Sequence, residues 1–374
     1  MKQLVLVDAK NMVFRHHYTH KDLRDDDGKP TSVLYGFLNG LLSLSNKMPY
    51  ARFVFVWDGE GRTWRHDLLA KVPSATVQEV VEAKKNSASS AQSFVERQMN
   101  ASLSFLQKRT GQRASLSEKQ KLESLVVKKE PKEKPVGYKA NREEMWASDG
   151  HQDALEQLPE LQRVLNWIGF RQYKVPGLEG DDLLAMIAMR AWENQWFDEV
   201  IIHSTDKDFF QLMPEVKILK RVNEGKLEWQ QEQQVQFEHG VPCRDWTKLR
   251  ALIGDPSDNI PRIFRGVGPK NAVKWLQMGI DPSLKDFSLH PKLVIAKCAT
   301  ITSGKTTHEI ARRWREVVRN YSLCELARSP YDDRIIRRTQ VLAIRMMDEL
   351  TSKSFDRRPQ DDWKADFTAF CVGH

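Results

Sequence analysis

Cysteine is scarce in this chain. Cys243, Cys298, Cys324 and Cys371 are the four among 374 residues, and no two form a CxxC pair. A disulfide framework or a thiolate zinc site therefore has little to build on. Long apolar runs are also missing, so no segment reads as a membrane span. The N-terminal apolar stretch is shorter than a signal-peptide core and runs straight into Asp8. No Walker A motif and no strand followed by GxGxxG is present, which removes the usual signs of nucleotide-cofactor use. The expectation is a reduced, soluble, cytoplasmic protein with no membrane partner.

What the chain does have is acid at the ends of its apolar strands. Gln3-Leu4-Val5-Leu6-Val7 ends in Asp8, and Arg52 to Trp57 ends in Asp58. Glu199-Val200-Ile201-Ile202-His203 leads into Ser204-Thr205-Asp206-Lys207-Asp208. Short apolar runs rich in β-branched residues read as buried strands of a parallel sheet. Open α/β sheets place their sites at the carboxyl ends of the strands. Acids gathered there repel one another unless cations neutralise them.

Length and alternation set the organisation. A chain of 374 residues is long enough for two domains. Val33 to Ser45 and Leu158 to Ile168 carry helical patterns, and Val216 to Leu219 reads as a further strand. Glu179-Gly180-Asp181-Asp182 opens an amphipathic helix running to Trp192. This alternation predicts a doubly wound α/β sheet over 1–68 and 137–240. Residues 69–136 differ in character: they hold 13 Lys or Arg and 7 Glu, a net of +6 against +8 for the whole chain. They read as a basic insertion or arm, helical around 94–108. Beyond about residue 240 strand signals fade, so 241–374 is expected to be a helical region. Nine arginines fall between Arg312 and Arg345 against four acids. A basic chain with an acidic pocket fits a polyanionic substrate that the pocket alone would repel.

The acids form a set. To the strand-end residues are added Glu179, Asp181 and Asp182 at a helix start, and Asp255 and Asp258 around a Pro-Ser turn. Asp206 and Asp208, two apart, are expected to share one side of an extended segment. With oxygen ligands and no accompanying Cys or His, the set suits Mg²⁺ or Mn²⁺ rather than zinc. Two such ions about 4 Å apart activate a water and stabilise the leaving oxygen of a phosphodiester. Each acid also has a plainer reading. Asp181 or Asp182 can cap the helix, Asp206 and Asp208 can form a turn, and Asp258 can stabilise a loop. Capping alone does not require acids at three strand ends.

Gly266-Val267-Gly268-Pro269-Lys270 precedes a helical pattern through Trp275. Gly-x-Gly at a helix start exposes backbone N–H groups to phosphate, and Lys270 adds charge. An ordinary helix–loop–helix connection is the alternative.

Taken in order, Leu6-Val7-Asp8, Val54 to Gly59, Tyr138-Lys139-Ala140-Asn141-Arg142, Glu179 to Asp182, Ser204 to Asp208 and Gly254-Asp255 to Lys270 resemble the flap endonuclease/5′-nuclease family. The resemblance covers roughly residues 1–67 and 137–280. It implies a PIN-like, mostly parallel sheet flanked by helices, with a helix-three-turn-helix module at about 250–280. It implies that Asp8, Asp58, Glu179, Asp181 and Asp182 bind or orient a first metal, and that Asp206, Asp208, Asp258 and Asp255 serve a second. Lys139 and Arg142 match the basic pair at the base of the family's arch, placed here at 143–176. Tyr138 is expected to stack on a nucleobase, and Arg65 matches a basic DNA-contacting position. Gly266, Gly268 and Lys270 are expected to grip duplex backbone, with K⁺ on the loop carbonyls. Trp57 replaces the more usual Phe, and Gly180 stands where Ala is commoner, a change expected to cost little. The implied substrate is DNA with 5′ ends or flaps, with RNA–DNA hybrid a second candidate. The implied setting is replication or repair, in the host cytoplasm if the source is a phage. Residues 69–136 are a candidate surface for replication proteins. The competing readings are a PIN-type ribonuclease and a DNA-structure-binding protein without catalysis.

Overall fold

The computed structural model describes residues 2–71, 138–139, 149–221, 226–263, 267–285, 310 and 312–351. All lie in one of the chain's two compact units, 1–72 with 137–374; the other is 73–136. Of the expected basic arm at 69–136, residues 69–71 end the helix Trp64–Lys71; the rest, with its expected helix at 94–108, lies outside the described residues, as do Arg142 and Gly266.

In chain order come β1 (Gln3–Asp8), α1 (Ala9–Thr19), α2 (Ser32–Lys47), β2 (Arg52–Val56), α3 (Trp64–Lys71), α4 (Asp149–Glu156) and α5 (Leu158–Ile168). There follow β3 (Arg171–Tyr173), α6 (Gly180–Glu193), β4 (Glu199–His203), β5 (Lys217–Arg221), β6 (Leu227–Trp229) and α7 (Glu232–His239). Then come α8 (Trp246–Ile253), α9 (Pro269–Gln277), α10 (Trp314–Cys324) and α11 (Arg337–Thr351). The six strands form one sheet in the order β3-β2-β1-β4-β5-β6. All pairings are parallel except β5 with β6, which is antiparallel.

Strand period explains why both faces are dry. Leu4, Leu6, Val54, Val56 and Ile202 point to one face, where Leu183, Leu184 and Ile187 of α6 cover them. Val5, Val7, Phe53, Phe55 and Ile201 point to the other, against Met12, Phe37, Leu41, Leu161 and Leu165 of α1, α2 and α5. Register sets the rim of the site. Asp8 lies level with Val56 of β2, and Val7 lies level with His203 of β4. Chain order reverses between β1 and β4, the switch point where open sheets leave a crevice.

Two strands, β3 and β6, are not visible as apolar runs. β3 is Arg-Gln-Tyr, an edge strand inside the stretch expected to be an arch, and α5 in the same stretch packs into the core. The arginines of 312–345 do not all face solvent. Arg313 and Arg319 are buried, and Arg313 donates to Ile263 O at 3.0 Å. Beside Arg319, Asn320 donates to Ala251 O and Pro261 O, tying α10 to α8 and the turn beyond it.

Candidate metal centre

The acids divide by whether a cation already holds them. Asp182 is fully buried and receives Arg65 in a fork, at 2.6 and 2.9 Å. Trp64 Nε1 and the Ala327 N–H complete its shell. Trp64 in turn lies under two guanidinium groups, those of Arg65 and Arg334. Glu179 stands just before α6, without capping it, and accepts from Lys139 at 2.8 Å, Arg65 at 3.4 Å, Tyr138 Oη and Thr63 Oγ1. Burial works against its charge, but Lys139 and Arg65 outweigh that and bring its pKa down to about 2. Asp58 meets Lys10 at 2.7 Å and the Gly180 N–H at 2.8 Å. Desolvation opposes ionisation there too, and Lys10 outweighs it, leaving the pKa lowered. Asp255 is paired with Arg250 and accepts from Ser257, and its pKa is likewise lowered against the cost of burial.

Asp8, Asp181, Asp206 and Asp208 have no ion-pair partner among the described residues. Their pKa values move the other way. Burial first, then neighbouring carboxylates, push Asp8 up to about 7 and Asp208 up to about 8. The same causes raise Asp181 and Asp206. Asp206 is the hinge of the set: its charge acts on Asp8 and Asp181 and on Asp208. The local fold holds these groups in place. Asp8 caps α1 through the Asn11 N–H and accepts from Ser204 Oγ at 2.8 Å. Ser204 Oγ also receives the Asp206 N–H, and Asp206 receives that of Asp208, capping a 3₁₀ helix at Lys207–Leu212, so the two acids do not share an extended segment as expected.

Carboxylate oxygens of Asp208, Asp255 and Asp258 lie within 4.8 Å of one another, close enough to share one cation. Their turn is built on Gly254 at φ 74°, where a Cβ would lie 2.6 Å from Ile260 O. Asp255 and Ile260 exchange backbone hydrogen bonds across the turn. Asp258 O accepts the Lys139 N–H, and its carboxylate accepts from Tyr138 Oη. The donor set is all oxygen and partly unneutralised, which fits hard divalent cations.

Two residues expected to meet DNA lie elsewhere. Arg65 is 2 % exposed and spent on Asp182, Glu179 and Leu323 O. Tyr138 is 4 % exposed, with its hydroxyl between Glu179 and Asp258. Both are internal supports of the acid set. Gly268 caps α9, Pro269 occupies its first turn, and Lys270 is exposed. Gly180 is tighter than expected: a Cβ there would stand 3.0 Å from Asp58 Oδ1, so an alanine needs Asp58 to shift by a few tenths of an ångström. Lys10 went unnoticed in the sequence. Its signal is its position two residues after a strand-end acid, on the first turn of α1.

Residues 3–72 and 99–240 match the 5′-3′ exonuclease, N-terminal resolvase-like domain. The chain belongs to this family. A Thermus thermophilus DNA polymerase I is 26 % identical over 278 residues, which is 74 % of this chain and 24 % of that protein. The chain thus spans about a quarter of the length of that polymerase. A 5′-3′ exonuclease of Buchnera aphidicola is 22 % identical over 308 residues, 82 % of this chain and 76 % of its own. Among solved structures, a T5 flap endonuclease in a pseudo-enzyme–product complex with DNA and metal ions superposes with TM-score 0.56 at 16 % identity. That match covers 92 % of this chain and 99 % of the other, and it confirms the family's fold.

Proposed function

We propose that this chain is a divalent-metal-dependent 5′ nuclease that hydrolyses phosphodiesters of DNA near 5′ ends or flaps, in replication or repair. The observation that carries the reading is the division of the acids. Four carboxylates at the sheet's switch point lack cations and resist ionisation, while their neighbours are neutralised by Lys or Arg. A fold with no need of charge there would not hold them together. The family and the DNA- and metal-bound T5 relative support the same reading.

Asp8, Asp181 and Asp206, with Asp58, would hold one ion; Asp208, Asp258 and Asp255 would hold the other, as Mg²⁺ or Mn²⁺. Bound there, such ions supply a water of lowered pKa and neutralise developing charge on the phosphate. Glu179 holds Lys139 at the edge of the acid set, where its ammonium meets a phosphate oxygen as charge builds. Arg142 is the second member of that basic pair. Asp182 is a positioning residue: it fixes Arg65, which braces Glu179. The turn from Gly266 through Gly268 to Lys270 would hold duplex backbone with K⁺. RNA–DNA hybrid is a further substrate of the same chemistry, and 69–136 offers a basic surface to replication proteins. No helix among the described residues is long and apolar enough to cross a membrane.

The test is cleavage of a 5′-labelled flap duplex and of single-stranded RNA, with Mg²⁺, Mn²⁺ or EDTA. Metal-dependent cutting near the junction, with RNA untouched, is expected. Cutting of RNA alone points to the ribonuclease, and binding without cutting in either metal overturns the assignment.

A further inference from the structure

One cleft of about 1050 Å³ extends the acid set away from the sheet, between the end of α7 and the face of α9. Its lining is mixed in charge: Asp206, Asp208, Asp255 and Asp258 line it together with Lys207, Lys270 and Lys274, all three exposed and without an ion-pair partner among the described residues. Phe237, 90 % exposed, lines the same cleft.

That exposure is not an accident of a loose loop. Phe237 lies in the last turn of α7, which is anchored by buried Val235 two residues earlier. Gly240 closes the helix at φ 78°, against Val273 of α9. The helix face that carries Phe237 is therefore fixed, and the phenyl ring is held in water at a site flanked by unpaired ammonium groups. A ligand that complements it needs phosphates for the lysines and a flat apolar face for the ring. A nucleic-acid strand has both.

We propose that Phe237 is a stacking post for an unpaired nucleobase of the strand that Lys207, Lys270 and Lys274 hold across the cleft. This inference rests on the nuclease reading and sharpens its substrate. A paired base already has its faces covered, so the post rewards a substrate with single-stranded character beside the duplex. Charge gives the cleft affinity for any backbone, whereas the ring discriminates on base availability.

The experiment uses the full chain with Ca²⁺ in place of Mg²⁺ to suppress turnover. Binding of a fully paired duplex and of a duplex with a 5′ single-stranded arm is measured by anisotropy for wild type, Phe237→Ala and Phe237→Trp. Thermal unfolding confirms that the variants are folded, as an exposed position allows. Phe237→Ala should weaken the armed duplex by roughly 5- to 150-fold, the span that base–aromatic stacking supplies, and leave the paired duplex near wild type. Phe237→Trp should keep wild-type affinity for the armed duplex. Equal affinity of wild type and Phe237→Ala for the armed duplex, or equal weakening on both substrates, overturns the stacking post while wild-type flap cleavage leaves the nuclease reading standing. Failure of wild type to bind or cut any DNA overturns both, and points to a protein partner for the exposed ring.

Discussion

Asp181 and Asp182 are adjacent acids in the first turn of α6, and they should fail in opposite ways. Asp182 is 0 % exposed and its partner Arg65 is 2 % exposed. An Asn at 182 leaves the buried guanidinium with only Glu179, at 3.4 Å, as countercharge and turns an amide NH₂ toward a site of donors. Breaking a buried, hydrogen-bonded pair by removing one partner costs about 3–5 kcal/mol. The bidentate geometry and the two further donors place Asp182→Asn in that range, a large part of the ~5–15 kcal/mol that holds a domain together. Asp181 has no such partner, and burial with Asp206 and Asp8 raises its pKa well above the usual range. Its charge therefore opposes folding at neutral pH without metal. Asp181→Asn should leave metal-free stability unchanged or improved, yet abolish cleavage. The assay is urea unfolding in EDTA at pH 7.5 beside flap cleavage in Mg²⁺. Arg65→Met with Asp182→Leu, which removes both charges, should recover part of the loss, the Trp64 Nε1 and Ala327 N–H donors being left unpaired. Asp182→Asn within about 0.5 kcal/mol of wild type, the size of an ordinary surface substitution, would refute the reasoning, as would an equal cost at both positions.

Other consequences follow from the same geometry. Asp8 and Asp208 have folded pKa values of about 7 and about 8, above their unfolded values near 3.8, so the native state binds more protons in between. Metal-free stability should accordingly fall as pH rises from about 4 to about 8, and saturating Mg²⁺ should remove the slope; a flat Tm in EDTA over pH 5–8 would contradict this. Ser204→Ala frees Asp8 and the Asp206 N–H from their shared hydroxyl, and should weaken Mn²⁺ binding about 10- to 100-fold by titration. Gly254→Ala forces a side chain into a glycine-only conformation against Ile260 O and Arg262 N. It should cost more than about 2 kcal/mol by denaturant unfolding and weaken the ion held by Asp208, Asp255 and Asp258.

The sheet was legible because parallel strands buried on both faces must be continuous apolar runs. β1, β2 and β4 announce themselves in this way, and their terminal acids mark the rim. β3 was not legible: its Arg-Gln-Tyr takes its place from the strand beside it rather than from its own pattern. The acid set could be read as a group, but its division could not. Asp181 and Asp182 look alike in sequence, and what separates them is Arg65, whose other partners, Leu323 O and Glu325 O, lie more than 250 positions away along the chain. The burial of Arg65 and Tyr138 has the same origin. Each carries a polar tip that a sequence reading turns toward substrate, and a tertiary contact turns it inward.

Mn²⁺ binding to the metal-free protein, counted by electron paramagnetic resonance and competed with Mg²⁺, tests the central claim most directly. Two competable ions per chain are predicted for wild type, with one lost in Asp208→Asn and the other in Asp181→Asn. No competable ion in wild type, or two ions still bound when both aspartates are replaced, would contradict the account.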